Sequence, residues 1–489
     1  MKKLIEKYNH LSAPARATIW FTICNLVLKG ISLVTVPIFT RILSDEQYGI
    51  LSIFLSYEQL LLILATWEIQ NGAYQKAVFK YRDDIQRITT STLILINILT
   101  LICFGILFLF IDFIVKITGM PKWLLSLLMV YLLFQPAYTC WLVRKRTIYD
   151  YKPAVIATIA YSLINVVIPM SALFLLGKTA YIKYAFTLVP SIIFCSVIYF
   201  KSVNFSLFKG KMQIVKEQWK FLLRFEAPLV LHSLSYLILN QADRIMIGSI
   251  VGSSKAAYYS VAYSLASIVI IFQNSVNQAL LPWRYEMLEK KQYKKISDVT
   301  SYLLMAMGII VLLAILIMPE IMKILFTHSY YEAIWSIPPI TVSVYFMFLY
   351  TIFVNIESYF EKTKYVMYVS VSCSVINIVL NYICISTFGY IACGYTTLIS
   401  YILFAVGHFC FMKKIIKENS IEVNVVNGKN ILIISSIVVG VSLIFTVCYS
   451  FCVIRYCILG FLCICLLGSK KTIKKIISQI KDDKFMINN

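Results

Sequence analysis

Val34-Thr35-Val36-Pro37-Ile38-Phe39-Thr40-Arg41-Ile42-Leu43-Ser44-Asp45-Glu46-Gln47-Tyr48-Gly49 is the end of an apolar helix, interrupted by Pro37, that runs through Thr40 and Arg41 into a short acidic turn. Apolar residues resume almost at once, so the stretch predicts a hairpin of two helices. Asn240-Gln241-Ala242-Asp243-Arg244-Ile245-Met246-Ile247-Gly248 ends a second apolar run in the same way, and Tyr258 opens the next. A further repeat aligns Tyr161-Ser162-Leu163-Ile164-Asn165-Val166-Val167 with Cys373-Ser374-Val375-Ile376-Asn377-Ile378-Val379 at an offset of 212, with Gly177 and Ala180 answering Gly389 and Ala392. The two arginines lie 203 residues apart, so the halves differ by nine residues of loop length between these landmarks. The chain reads as an internally duplicated membrane protein.

The bulk numbers agree. A mean hydropathy of +0.80, with 60% hydrophobic and 14% charged residues among 489, leaves more apolar surface than a soluble globule can bury. The net charge of +22 does not point to nucleic acid, because Lys and Arg are spread between apolar runs rather than gathered on one face. Thirteen cysteines sit mostly inside apolar runs and read as small hydrophobes.

Runs of about 20 apolar residues, the span of a hydrocarbon core, recur along the chain. They predict an all-α fold of about 14 transmembrane helices: two pseudo-symmetric six-helix lobes, 1–200 and 227–415, and an extra hairpin at 430–468. A linker at 201–226 joins the lobes, and a basic tail follows at 469–489. In the linker Met212, Val215, Trp219 and Leu222 recur at helical spacing beside Lys216, Lys220 and Arg224, which predicts a helix on the membrane surface. An offset of six spans preserves orientation, so the pseudo-two-fold axis should run along the membrane normal.

Ser12-Ala13-Pro14-Ala15 precedes the first apolar run instead of following it, so span one is expected to serve as its own insertion signal. With the N-terminus inside, 35 of the 45 Lys and Arg residues fall in cytoplasmic segments and eight outside, among them Lys183 and Arg455. That asymmetry predicts both termini in the cytoplasm.

Pro37, Thr40, Arg41, Leu43, Tyr48 and Gly49 resemble the opening hairpin of the polysaccharide-exporter branch of the multidrug/oligosaccharidyl-lipid/polysaccharide superfamily, and the echo at Asp243 to Gly248 is equally typical of it. The resemblance implies an O-antigen or capsule repeat-unit flippase of the bacterial cytoplasmic membrane. Its substrate would be an undecaprenyl-diphosphate-linked oligosaccharide carried by alternating access. A polysaccharide polymerase and assembly enzymes would be neighbours, membrane lipids would surround it, and a monomer is the default. Many multidrug members have an acidic first span, where this chain has Lys29.

A charge at mid-membrane costs about 2.5 to 3.5 kcal/mol on insertion scales, so it normally faces a cavity or a wet path. Lys29 sits halfway along span one, and Asp243 and Arg244 lie within span seven, the equivalent helix. Lys29, Arg41 and Arg244 are the candidate partners of a diphosphate, which cations in a hydrated cleft can solvate through charge-assisted hydrogen bonds. The competing reading is an ion pair of Arg244 with Asp243 or Glu357 that only fixes packing. Gln273, Asn274, Asn277 and Gln278 make a polar stripe on span eight, extended by Asn240 and Gln241 on span seven. Amides suit sugar hydroxyls and interhelical bonds alike. Glu58 and Glu357 are isolated carboxylates and candidates for coupling to a proton or sodium ion.

No catalytic, cofactor or metal site is expected. Gly468-Ser469-Lys470-Lys471-Thr472 lacks the spacing of a nucleotide loop, and Cys452, Cys457, Cys463 and Cys465 lack paired zinc spacing. External linkers are short, which disfavours a membrane glycosyltransferase or polymerase; a nontransporting assembly scaffold or membrane glycosyltransferase is the alternative from another class. A multidrug/cation antiporter should depend on membrane carboxylates, and Lys29 and Arg244 argue against it.

Overall fold

The computed structural model describes residues 13–208, 211–421, 423 and 425–468; the basic tail expected above lies outside them. The described residues form helices and no strand. α1 (Ala13–Ile42) and α2 (Asp45–Thr66) are the hairpin quoted at the outset. Ser44 has extended backbone and accepts from the Gln47 N–H at 3.3 Å, capping α2, while Asp45 and Glu46 meet the positive end of its dipole. The acidic turn is therefore a helix start, which is why it reverses the chain within two residues.

α3 (Ala73–Lys80), α4 (Ile85–Leu109), α5 (Ile111–Thr118), α6 (Lys122–Thr147), α7 (Tyr151–Leu176) and α8 (Ala180–Ser202) complete the first lobe. The second comprises α9 (Met212–Ile250), α10 (Ser253–Glu289), α11 (Tyr293–Leu325), α12 (Ile337–Tyr359), α13 (Thr363–Phe388) and α14 (Ala392–Glu418). The offset of 212 carries both bounds of α7 onto those of α13, and the first residue of α8 onto that of α14. α15 (Gly428–Val447) and α16 (Cys452–Gly468) make the C-terminal hairpin.

Among the described residues twelve helices are long and apolar enough to cross a bilayer, and α9 adds a thirteenth when its two arms count as one span. The fourteenth expected span is α16, whose 17 residues reach only about 26 Å. Arg455, expected in an external loop, is instead buried at the start of α16 and holds both carboxylate oxygens of Glu320 on α11 at 2.8 Å. Tyr449 adds a bond of 2.8 Å to the Ile315 carbonyl, so the hairpin is anchored to the second lobe.

The linker helix begins at Met212 and does not stop before span seven. It continues into it as one 39-residue helix, bent by 43° between Ala227 and Leu229, where Pro228 has no N–H to give. Val215 and Leu222 on its first arm are buried, and Leu222 packs with Ile69, Ala73, Ala77 and Ile88 of the first lobe. Trp219 donates to the Ser91 carbonyl at 2.9 Å, while Lys216, Lys220 and Arg224 stay exposed. Val215, Trp219 and Leu222 of the apolar stripe that predicts a membrane-surface helix thus turn toward protein, and Met212 alone of the four is exposed.

Candidate functional site between the lobes

Two ends of the bundle can be told apart: the hairpin end, with the α1–α2 turn, and the linker end, with the first arm of α9. The lobes meet along α2, which packs on α9 and α10. Gly49 permits the closest approach, since a Cβ there would lie 1.8 Å from the Ser253 carbonyl oxygen. Beside it Asp45 accepts from the Tyr258 hydroxyl and from Ser329 Oγ, each at 3.1 Å. Tyr48 meets Tyr330 edge to face. Arg41 donates to the carbonyls of Ile324 and Leu325, each at 3.1 Å, at the negative end of α11. These contacts seal the hairpin end.

Further into the bundle, Arg244 is buried, with Nη1 donating to the Asn240 carbonyl at 2.6 Å and to Gln241 Oε1 at 2.8 Å. Its guanidinium lies 4.5 Å from the Tyr263 ring centre. Gln241 donates to Gln59 at 3.0 Å and accepts from Ser56 at 3.3 Å, both on α2. Arg244, Gln241, Ser56 and Gln59 therefore form one chain across the lobe boundary. Neither Asp243 nor Glu357 hydrogen-bonds this arginine, and no salt bridge to it is found among the described residues.

The adjacent carboxylate turns the other way. Asp243 is fully buried inside the second lobe, where it accepts from Asn381 at 2.7 Å, from Thr397 at 2.9 Å and from the Tyr259 hydroxyl. Asn240 accepts from Tyr263 at 2.7 Å and Tyr401 at 3.2 Å, bracing the helix that carries both charges. Glu58 accepts from the Tyr184 hydroxyl at 2.7 Å and feels the charge of Lys183, whose ammonium lies 5.0 Å from the centre of the Phe39 ring. Loop counting hides Lys183; its position one residue before Tyr184 on a new helix was the available signal. Glu357 is in contact with His408 Nδ1 at 3.0 and 3.1 Å, both side chains being fully buried. That histidine lies 51 residues away, beyond any local pattern.

The polar stripe of α10 divides. Gln273 is buried and Asn277 accepts from Asn355 at 2.9 Å, whereas Asn274 and Gln278, one position further round, are exposed. Lys29 is exposed at the middle of α1 and is not brought into hydrogen bonding with Arg244. Arg284, which sequence reading passes over as part of a charged loop, is fully buried near the linker end, with Nε and Nη1 lacking a hydrogen-bond partner. Among the described residues no cluster of three or more His, Cys, Asp or Glu could hold a metal ion. The chemistry available at the boundary is that of a desolvated guanidinium flanked by amides, which suits an oxyanion with attached hydroxyls.

The family model described as "Polysaccharide biosynthesis protein" matches residues 15–288, and the model described as "MatE" matches 228–383. An uncharacterized membrane protein of Methanocaldococcus jannaschii is 27% identical over 202 residues, 39% of this chain and 46% of that protein. Lsg locus putative protein 1 of Haemophilus influenzae is 28% identical over 163 residues, 32% of this chain and 39% of that one. The chain thus spans less than half the length of these curated relatives. Among solved structures, the lipid II flippase MurJ in an inward closed conformation superposes with a TM-score of 0.69 at 15% identity, over 94% of this chain and all of MurJ. An inward-facing multidrug resistance MATE family transporter gives 0.64 at 14% identity, over 82% and 98%.

Proposed function

The chain belongs to the polysaccharide biosynthesis protein family, and from that premise we propose that it is a flippase carrying an undecaprenyl-diphosphate-linked oligosaccharide from the cytoplasmic to the outer leaflet. The observation that carries this reading is Arg244: a buried cation at the lobe boundary, without a salt bridge among the described residues and linked through Gln241 to Ser56 and Gln59 of the other lobe. A diphosphate is the ligand such a group solvates best, and the exposed amides of Asn274 and Gln278 suit the attached sugars. Lys29, exposed at mid-helix, is the second cation for the same headgroup, while Arg41 clasps the hairpin end shut. The linker end is assigned to the cytoplasm by the excess of Lys and Arg there. Glu58, bonded by the Tyr184 hydroxyl, and Glu357, in contact with His408, each inside one lobe, are the sites proposed for ion coupling, and O-antigen, capsule or exopolysaccharide synthesis is the pathway class served.

The MatE match over residues 228–383 favours one second reading, a multidrug/cation antiporter. It requires a carboxylate facing the cargo, and Asp243, the one nearest the boundary arginine in sequence, is turned into its own lobe. The test follows externally accessible lipid-linked oligosaccharide in cells making their own glycan. Deletion of the protein is expected to abolish external exposure while internal synthesis continues. Unchanged exposure after deletion, in a strain without a second flippase, would overturn the proposal.

A further inference from the structure

A cavity of about 760 Å³ lies on the first lobe between α6, α7 and α8, and no helix of the second lobe lines it. Its body is apolar: Ile164 and Ile168 of α7 face Pro190, Ile193 and Val197 of α8. One end alone is charged, where Arg144 of α6 and Lys201 of α8 stand beside Trp141 and Ser202. We propose that this groove binds one anionic glycerophospholipid of the linker-end leaflet, its acyl chain along α7 and α8 and its phosphate between Arg144 and Lys201.

Length supports the assignment. From Pro190 to Lys201 the helix rises about 16 Å, which is half of a hydrocarbon core of about 30 Å. The groove is therefore one leaflet deep, with its cations where a headgroup of that leaflet lies. Trp141 marks the same level, as tryptophans do at membrane interfaces.

The charged end is built rather than incidental. Arg144 Nη1 donates to Gln86 Oε1 at 3.2 Å, and the amide of Gln86 donates to the Ser202 carbonyl at 2.7 Å, fixing the guanidinium at the mouth of the groove. Neither Arg144 nor Lys201 is in a salt bridge among the described residues, whereas neighbouring Lys145 is held by Asp150. Ile193, Val197 and Ile168 are exposed along the body, an apolar surface that a chain of methylenes would cover. Basic pockets between transmembrane helices at the cytoplasmic side are suited to anionic headgroups. The diphosphate cargo proposed above needs the lobe boundary, which this groove does not touch.

The test uses the full-length protein purified in detergent, with native mass spectrometry as the readout and phosphatidylglycerol, phosphatidylcholine and a polyprenyl diphosphate as probes. One phosphatidylglycerol per chain should be retained in preference to phosphatidylcholine. Each near-surface cation contributes about a fivefold factor for an anionic lipid, so Arg144→Gln with Lys201→Gln should weaken retention about 30-fold. Ile193→Trp, which fills the body without changing charge, should lower it as well. Should the double variant fail to fold, exposed Lys201→Gln alone carries the test through its fivefold loss. Equal retention of both phospholipids by the unmodified protein would mean annular lipid only and overturn the proposal. Unchanged phosphatidylglycerol binding in the charge variants, or its one-for-one displacement by the polyprenyl diphosphate, would do the same.

Discussion

Arg244 and Asp243 are neighbours in sequence, and their opposite surroundings follow from the 100° step of a helix: one side chain faces the lobe boundary, the other the interior of its own lobe. A hydrogen bond to a charged group contributes about 1.5 to 3 kcal/mol, so Arg244→Ala should slow externalisation about tenfold to a hundredfold at matched expression. Arg244→Lys keeps the charge but loses the fork, and should fall between; equal activity of all three would remove the arginine from the proposed site. Glu226, on the first arm of α9 before the bend, is buried and accepts from the Ala73 N–H at 2.6 Å. Burial pushes its carboxyl up to about 7, the Ala73 bond pulls the other way and the Glu68 carboxylate adds to the rise. Being raised in the folded state, its contribution is complete below its ordinary value of 4.5 and is lost as pH climbs through about 7. Thermal unfolding of purified protein should therefore show stability declining across that window, and Glu226→Gln should flatten the decline; an identical pH profile in the variant would assign it to other groups.

At the scale of elements, hydropathy and the internal repeat were enough to locate the long helices, because a buried span advertises itself by length and composition alone. The same signal is blind to what a charge does at a helix end. Lys183 and Arg455 read as loop residues by their flanks, yet one lies beside Glu58 and the other holds Glu320, partners 125 and 135 residues distant. The short α3 and α5 were illegible for a related reason: eight residues carry too little periodicity to stand out between longer apolar runs. Glu320→Ala would leave the Arg455 guanidinium buried without its partner, a loss of about 3 kcal/mol or more. It should loosen the α15–α16 hairpin, seen as faster proteolysis between residues 419 and 430. Replacing Arg455 by Leu in the same protein should restore much of the resistance, and no change in either variant would show that the hairpin is held by apolar packing alone.

For the whole molecule, alternating access demands that the hairpin-end seal break in each cycle. Asp45 and Ser329 touch across it at 3.1 Å, beside the Gly49 contact with Ser253. With native cysteines replaced, Asp45→Cys joined to Ser329→Cys by a disulfide should stop externalisation, and reduction should restore it; transport at full rate with the bond closed would rule out rocking about this seal. The duplication and the span layout could be read from the chain, whereas the pairing of side chains between lobes depends on how two remote helices cross and leaves no local trace.

The two-armed α9 also bears on the order of manufacture. Its first arm, 212–227, is translated after the first lobe and before any of the second, and it is the piece that covers Ile69, Ala73, Ala77 and Ile88. A nascent chain can thus close the exposed apolar end of its first half while the ribosome is still making the second. The joint between the two copies doubles as the closing piece of the earlier one, so a chain cut before residue 212 would be left with an uncovered apolar face and prone to aggregate.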